Sequence, residues 1–285
     1  MEYLLLGISL CLGSLKNLTS KFSSGITKNL KGLFYINTVT SVAAIIIFAL
    51  SGISFKSMGS PLFVILAFFY GMATVLSQSM YIYAVQKGSV SVCTMIYSCG
   101  FLIPTIFSFL AYGDSFGIFN IIGIALLVIS IFLISGKEES KKSNAYMLLA
   151  FVAMLASGTV GILQKVFVKT FGTSNLNSFL FLSFLFMLAA SSLGFLFAEG
   201  KLPKDDKKAF YTVPVILALC TVFCNKINLF LSGRLNGIIF FPVVNGGVIF
   251  LTAVLSYFIL KEKNSLRKNA GIIISIVAIA ISFIK

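Results

Sequence analysis

The sequence predicts an all-α polytopic membrane protein, ten transmembrane helices arranged as two inverted five-helix repeats, and three observations carry that expectation. The first is composition: 58% of the 285 residues are hydrophobic and 11% are charged, against about 45–50% and about 25% in soluble domains. Eight acidic and 22 basic residues cannot cover a fold of this length with a polar surface, so most of the surface must face lipid. The second is the length and spacing of the apolar runs. The third is a division into halves that each hold an odd number of runs.

A spanning helix needs about 20 mainly apolar residues, and such runs lie near 3–24, 33–50, 61–86, 90–112, 116–135, 145–164, 175–198, 211–231, 237–260 and 268–284. The first follows Met1-Glu2-Tyr3, which lacks the positive region of a secretory signal, and no small-residue cleavage pattern interrupts it; it is expected to be retained. Runs such as Ile45 to Leu50 and Ile118 to Ile134 are apolar on every face. Strands of a membrane barrel would alternate over about 10 residues, so these segments read as helices. The connections are short and polar, as at Gly113-Asp114-Ser115 and Lys261-Glu262-Lys263-Asn264, which makes successive spans antiparallel neighbours.

The polar stretch from Lys137 to Lys142 reads as a junction, giving a first repeat over 1–137, a linker over 138–144 and a second repeat over 145–285. Five spans per half force the second copy to enter the membrane from the opposite side, the inverted arrangement common in transporters. A shift of 148 positions lays Asp114 on Glu262, Ser108 on Ser256, Gly123 on Gly271, Ile124 on Ile272 and Ile131 on Ile279. The informative feature is an acidic residue just outside a span with glycine nine positions later. A shift of 144 pairs Lys21 with Lys165.

Of the 22 basic residues, Lys16 and Lys226 fall within spans. Lys56, Lys165, Lys169, Arg234 and Lys285 fall on the side of the C-terminus, and the remaining fifteen on the other side. By the positive-inside rule both termini are then expected outside the cytoplasm.

The formal charge of +14 is scattered between apolar runs rather than gathered on one basic face, which argues against nucleic acid as a partner. Cys11, Cys93, Cys99, Cys220 and Cys224 lie inside apolar stretches without zinc-site spacing and read as small buried hydrophobes. The absence of histidine excludes imidazole catalysis and His-ligated metals, and no cofactor is expected. Gly194 to Lys201 fits part of a phosphate-loop pattern, but Leu202 replaces the hydroxyl residue and no strand precedes it. Asn17-Leu18-Thr19 fits a glycosylation acceptor but sits within the first span.

The stretch from Tyr83 through Ala84, Gln86 and Gly88 to Ser91, the pair Gly113-Asp114 followed by Gly123, and Lys261-Glu262 followed by Gly271 resemble the EamA-type permeases of the drug/metabolite transporter superfamily. The resemblance spans nearly the whole chain and implies ten helices in two inverted repeats. It departs at Leu12-Gly13, where the family has Trp-Gly, and in the offsets of Pro104 and Pro242 from the acidic markers. Family members place both termini in the cytoplasm, opposite to the charge count, so orientation stays open.

A charge near the bilayer centre costs about 2.5–3.5 kcal/mol, which makes intramembrane ionisable residues functional candidates. Lys16 and Lys226 alone qualify; the acidic residues fall in loops or at span ends. Small multidrug exporters of the same superfamily use a membrane glutamate that this chain lacks, so carboxylate-based proton antiport is disfavoured. Lys226 is the sharper candidate, flanked by Asn225 and Asn228 and placed on Gln78 by the 148-residue shift. Asn225, Asn228 and Ser232 share a helical face, as do Ser14, Asn17 and Lys21; Ser77 and Tyr81 form an i, i+4 pair, and Tyr97 corresponds to Asn245. A wet central cavity would satisfy these polar groups, and Lys226, Gln78, Asn225, Asn228, Tyr81, Tyr97, Asn245, Ser14 and Asn17 are its candidate lining. The plainer alternative is that Lys226 snorkels to an interface and the Asn, Ser and Tyr groups bond between helices.

The expected function is secondary transport of a small polar metabolite, such as an amino acid or another anionic or zwitterionic molecule, by alternating access. A flippase for a lipid or lipid-linked sugar and a multidrug exporter are the alternatives. An intramembrane enzyme would lack acid-base or metal machinery. A small-molecule substrate and membrane lipids are the expected partners, a homodimer is left open, and the short loops suit a bacterial plasma membrane.

Overall fold

A computed structural model of the chain describes residues 1–23, 26, 29–87, 90–114, 117–135, 145–200, 202, 207–260 and 266–282. Among them the regular structure is helical throughout, with α1 (Glu2–Phe22), α2 (Leu30–Leu50), α3 (Pro61–Lys87), α4 (Val90–Ser98), α5 (Leu102–Tyr112), α6 (Ile118–Ser135), α7 (Ala145–Phe171), α8 (Leu176–Phe197), α9 (Lys207–Arg234), α10 (Gly237–Leu260) and α11 (Leu266–Ser282). The linker expected at 138–144 and the acidic marker Glu262 lie outside the described residues.

Among the described residues, six helical stretches are long and apolar enough to cross a membrane: Leu30–Leu50, Pro61–Ala84, Ala145–Phe171, Thr173–Phe197, Phe210–Arg234 and Gly237–Ile259. Ile96–Tyr112 and Ile118–Ile134 are shorter apolar helices. The protein is thus a multi-pass membrane protein. The ten apolar runs all become helix, but α11 has 17 residues and α1 is interrupted by Lys16 and Asn17, and neither belongs to that set.

Helix α3 shows how the sequence divides its faces. Leu62, Ile65, Phe69, Met72 and Leu76 recur every three or four residues and are exposed, while Phe63, Leu66, Ala67, Tyr70, Thr74 and Ser77 between them are buried. An outward stripe of large apolar side chains on a helix that satisfies its own backbone is what lipid requires.

Two boundaries differ from the sequence expectation. The run over 90–112 is broken into α4 and α5 by a 3-10 turn at Cys99–Phe101. Pro104 has no N–H to offer the Gly100 carbonyl four residues back, and the chain tightens there instead, Leu102 donating to the Cys99 and Gly100 carbonyls. The run expected to stop at Gln164 continues to Phe171, carrying Lys165 into the helix.

The helices of the two halves interleave. α2 packs along α8 and α6 along α11; α3 lies against α7 and α8, α9 lies against α1 and α2, α7 contacts α4 and α5, and α1 contacts α10. One apolar core is centred on Phe63, Phe167, Phe179 and Phe184, with the Phe167 and Phe179 rings stacked at 3.8 Å. A second gathers Phe101, Leu127, Ile131, Leu231, Phe240 and Val243.

Candidate functional site

A cavity of about 200 Å³ lies where α1, α3, α4, α5, α7, α9 and α10 converge. Each helix reaches it with a stripe at helical spacing. Ser157, Val160, Gly161 and Gln164 come from α7; Cys224, Asn225 and Asn228 from α9; Phe240, Phe241, Val244 and Asn245 from α10; and Thr74, Ser77 and Gln78 from α3. Tyr97, Gly100, Phe101 and Pro104 line it from the broken fourth span, and Lys16 from α1.

Behind this lining the polar groups are cross-bonded. The hydroxyl of Tyr70, a fully buried side chain, donates to Asn225 Oδ1 at 2.8 Å and accepts from Gln164 Nε2 at 3.1 Å, tying α3 to α9 and α7. Ser9 donates to Asn228 Oδ1, joining α1 to α9. The Ser77 and Tyr97 hydroxyls are 3.3 Å apart. Asn225, Asn228 and Asn245 each donate one amide hydrogen within their own helix, to the Thr221 carbonyl, Cys224 Sγ and the Phe241 carbonyl.

Of the residues read from the sequence, Gln78, Asn225, Asn228, Tyr97 and Asn245 converge on this cavity, and Lys226, Tyr81, Ser14 and Asn17 do not line it. Lys226 follows Asn225 by one residue, about 100° around the helix axis, and is half-buried away from the lining. Lys16 takes the place expected for it. Tyr81 packs against Tyr97 with ring centroids 4.5 Å apart and planes tilted by 35°, and it bonds Thr94 at 2.9 Å, so it supports the wall from behind. Ser14 donates to the Val248 carbonyl at 3.2 Å and Asn17 to Thr252 at 3.4 Å; both fasten α1 to α10.

Sequence reasoning missed Tyr70, Gln164 and Ser157. Gln164 carried a usable signal, being a lone amide at the end of an apolar run, whereas Tyr70 follows two phenylalanines and has no distinguishing pattern.

An ion pair also escaped it. Gly113 closes α5 in the left-handed conformation at φ 61°, turning Asp114 back under the bundle. There Asp114 Oδ2 accepts from Lys165 Nζ at 3.1 Å and from the Gly237 backbone N–H, at the start of α10, at 2.8 Å. Lys165 donates further to the Leu235 carbonyl at 3.2 Å. The lysine side chain is 2% exposed. Just above, Gly161 brings α7 against α5 so closely that a Cβ there would sit 2.7 Å from Pro104 Cγ.

The profile of the EamA-like transporter family matches residues 144–284, the second half of the chain. That part of the chain is similar to the EamA-like transporter family. A solved crystal structure superposes with a TM-score of 0.76 at 12% identity, covering 99% of this chain and 97% of the other, which establishes likeness of fold. No curated protein matches the sequence.

Proposed function

We propose that the protein is a secondary transporter that moves a small polar metabolite by alternating access, helices of 1–137 moving against helices of 145–285 about the central cavity. The observation that carries this reading is the cavity itself, a pocket with polar lining where helices of both halves converge.

Two features support the inverted repeat behind it. Exchanging each span with the one five places later converts the α3–α7 contact into α9–α1, α3–α8 into α9–α2, and the contacts of α7 with α4 and α5 into that of α1 with α10, while α2–α8 and α6–α11 map onto themselves. The glycines paired by the sequence behave alike: a Cβ at Gly123 would meet the Ala278 carbonyl of α11 at 3.0 Å, and one at Gly271 would meet Ile134 of α6 at 2.8 Å.

The Asp114–Lys165 pair joins the first half to the second at the end of the bundle where α1 begins. Opening the cavity there requires α5 to leave α7 and α10, which breaks that pair. A bacterial plasma membrane is the setting that short loops favour.

The test uses Cys224, which lines the cavity, in a chain carrying Cys11→Ser and Cys99→Ser, since Cys93 and Cys220 are buried. Reconstituted in vesicles, Cys224 should react with a membrane-impermeant thiosulfonate from either face, and a transported solute should shift reactivity from one face to the other. Reaction from both faces at once with unsaturable solute flux would make the protein a channel.

A further inference from the structure

We propose that the cavity takes a small organic anion, a carboxylate or phosphate monoester on a compact apolar body, with its negative group on Lys16 Nζ. The inference rests on the transporter reading for the purpose of the cavity and adds the chemical class of its substrate.

Among the described residues, Lys16 is the single charged residue in the cavity lining. No carboxylate lines the wall, and among the described residues Lys16 has no ion pair, whereas Lys165 is neutralised by Asp114. A half-buried ammonium at membrane depth is costly when left uncompensated. A bound anion supplies the missing charge.

The neighbouring amides are set the same way. The carbonyl oxygens of Asn225 and Asn228 already accept from Tyr70 and Ser9, and each amide nitrogen spends one of its two hydrogens within α9. Each side chain therefore keeps an uncommitted N–H. An ammonium plus spare amide donors on Asn225 and Asn228 favours negative groups over positive ones.

Part of the lining is apolar. Phe101, Phe240, Phe241 and Val244 come from the fourth span and α10, and they suit a hydrocarbon or ring body rather than a second charge. About 200 Å³ limits that body to a single ring or a short chain.

The experiment compares probes that share one ring and differ in charge: phenylacetate, phenyl phosphate, benzyl alcohol and phenethylamine. Thermal stability of the full-length protein in detergent is followed against probe concentration, because a ligand of the native state must raise it. Phenylacetate, phenyl phosphate or both should give a saturable rise, and the other two should not. The response to one anion alone identifies the head group.

Lys16→Met should weaken the anion response about ten- to a hundredfold, as loss of a charged hydrogen-bond partner does. Lys16→Arg should restore most of it, and a ligand-free melting temperature near that of the parent shows that Lys16→Met folds. Stabilisation by phenethylamine or benzyl alcohol equal to that by the anions, no stabilisation by either anion, or an anion response unchanged in Lys16→Met overturns the proposal. Flux in vesicles separates this outcome from the broader reading: saturable transport of neutral or cationic solutes keeps the transporter and discards the anion site, while anion binding with no flux does the reverse.

Discussion

Lys165 Nζ lies 3.1 Å from Asp114 Oδ2, and this contact joins the second half of the chain to the first beneath the cavity. Because the same carboxylate oxygen holds the first N–H of α10, three elements depend on one aspartate. Removing one partner of a buried pair leaves an uncompensated charge and costs about 3–5 kcal/mol, while replacing both together is far milder. Asp114→Ala is therefore expected to lower the melting temperature sharply, and Asp114→Asn with Lys165→Met should recover much of the loss. Equal losses in the single and double variants would show that the two side chains are not coupled.

The hydroxyl of Tyr70 is the hinge-pin of the polar network, since Gln164 and Asn225 meet through it. Tyr70→Phe keeps the ring in its phenylalanine-rich core and strips both amides of a partner. A stability loss of about 1–3 kcal/mol is expected, together with a raised KM for transport at little change in expression.

At Gly161 the spacing between α5 and α7 is set by the absence of a side chain. A methyl group 2.7 Å from Pro104 must push one helix away. Gly161→Ala should destabilise by about 1–3 kcal/mol, and Gly161→Leu should also hold α5 away from α7 and stop cycling. Measured uptake by Gly161→Leu equal to that of the parent would mean that this contact does not form during transport.

Lys226 supplies a contrast. The sequence marks it as the cation of the site, but its side chain lies outside the cavity lining. Lys226→Ala is expected to leave substrate affinity unchanged, and a loss of binding in a normally folded variant would place this side chain in the site after all.

The fold was largely legible because lipid imposes a length on every span: the ten apolar runs end within a few residues of the helices, except where side chains override composition. Lys165 looked like the start of a loop, since a lysine rarely enters an apolar helix, and its distant partners Asp114 and the Leu235 carbonyl make the longer helix tolerable. The break at Cys99–Phe101 was encoded in Pro104, but a proline within an apolar run reads equally as an unbroken helix, as at Pro214 and Pro242. At the site, polar residues stood out against hydrocarbon, so five of nine candidates line the cavity. Which face of a helix looks inward was harder to read. Asn225 and Lys226 differ by one position, and a local run of Asn-Lys-Ile-Asn does not reveal which of them turns toward α3.

The interleaving of the halves governs how the chain is made. Helix α1 finds its main neighbours in α9 and α10, and Ser9 bonds Asn228, 219 positions later. During synthesis the first helix is inserted long before those partners exist, so its serines and Lys16 wait in the bilayer without their final contacts. Neither half is a self-sufficient folding unit. Separately expressed halves should each insert yet remain protease-sensitive, and mixing them should rebuild the native core, because the interfaces that bury it lie between them.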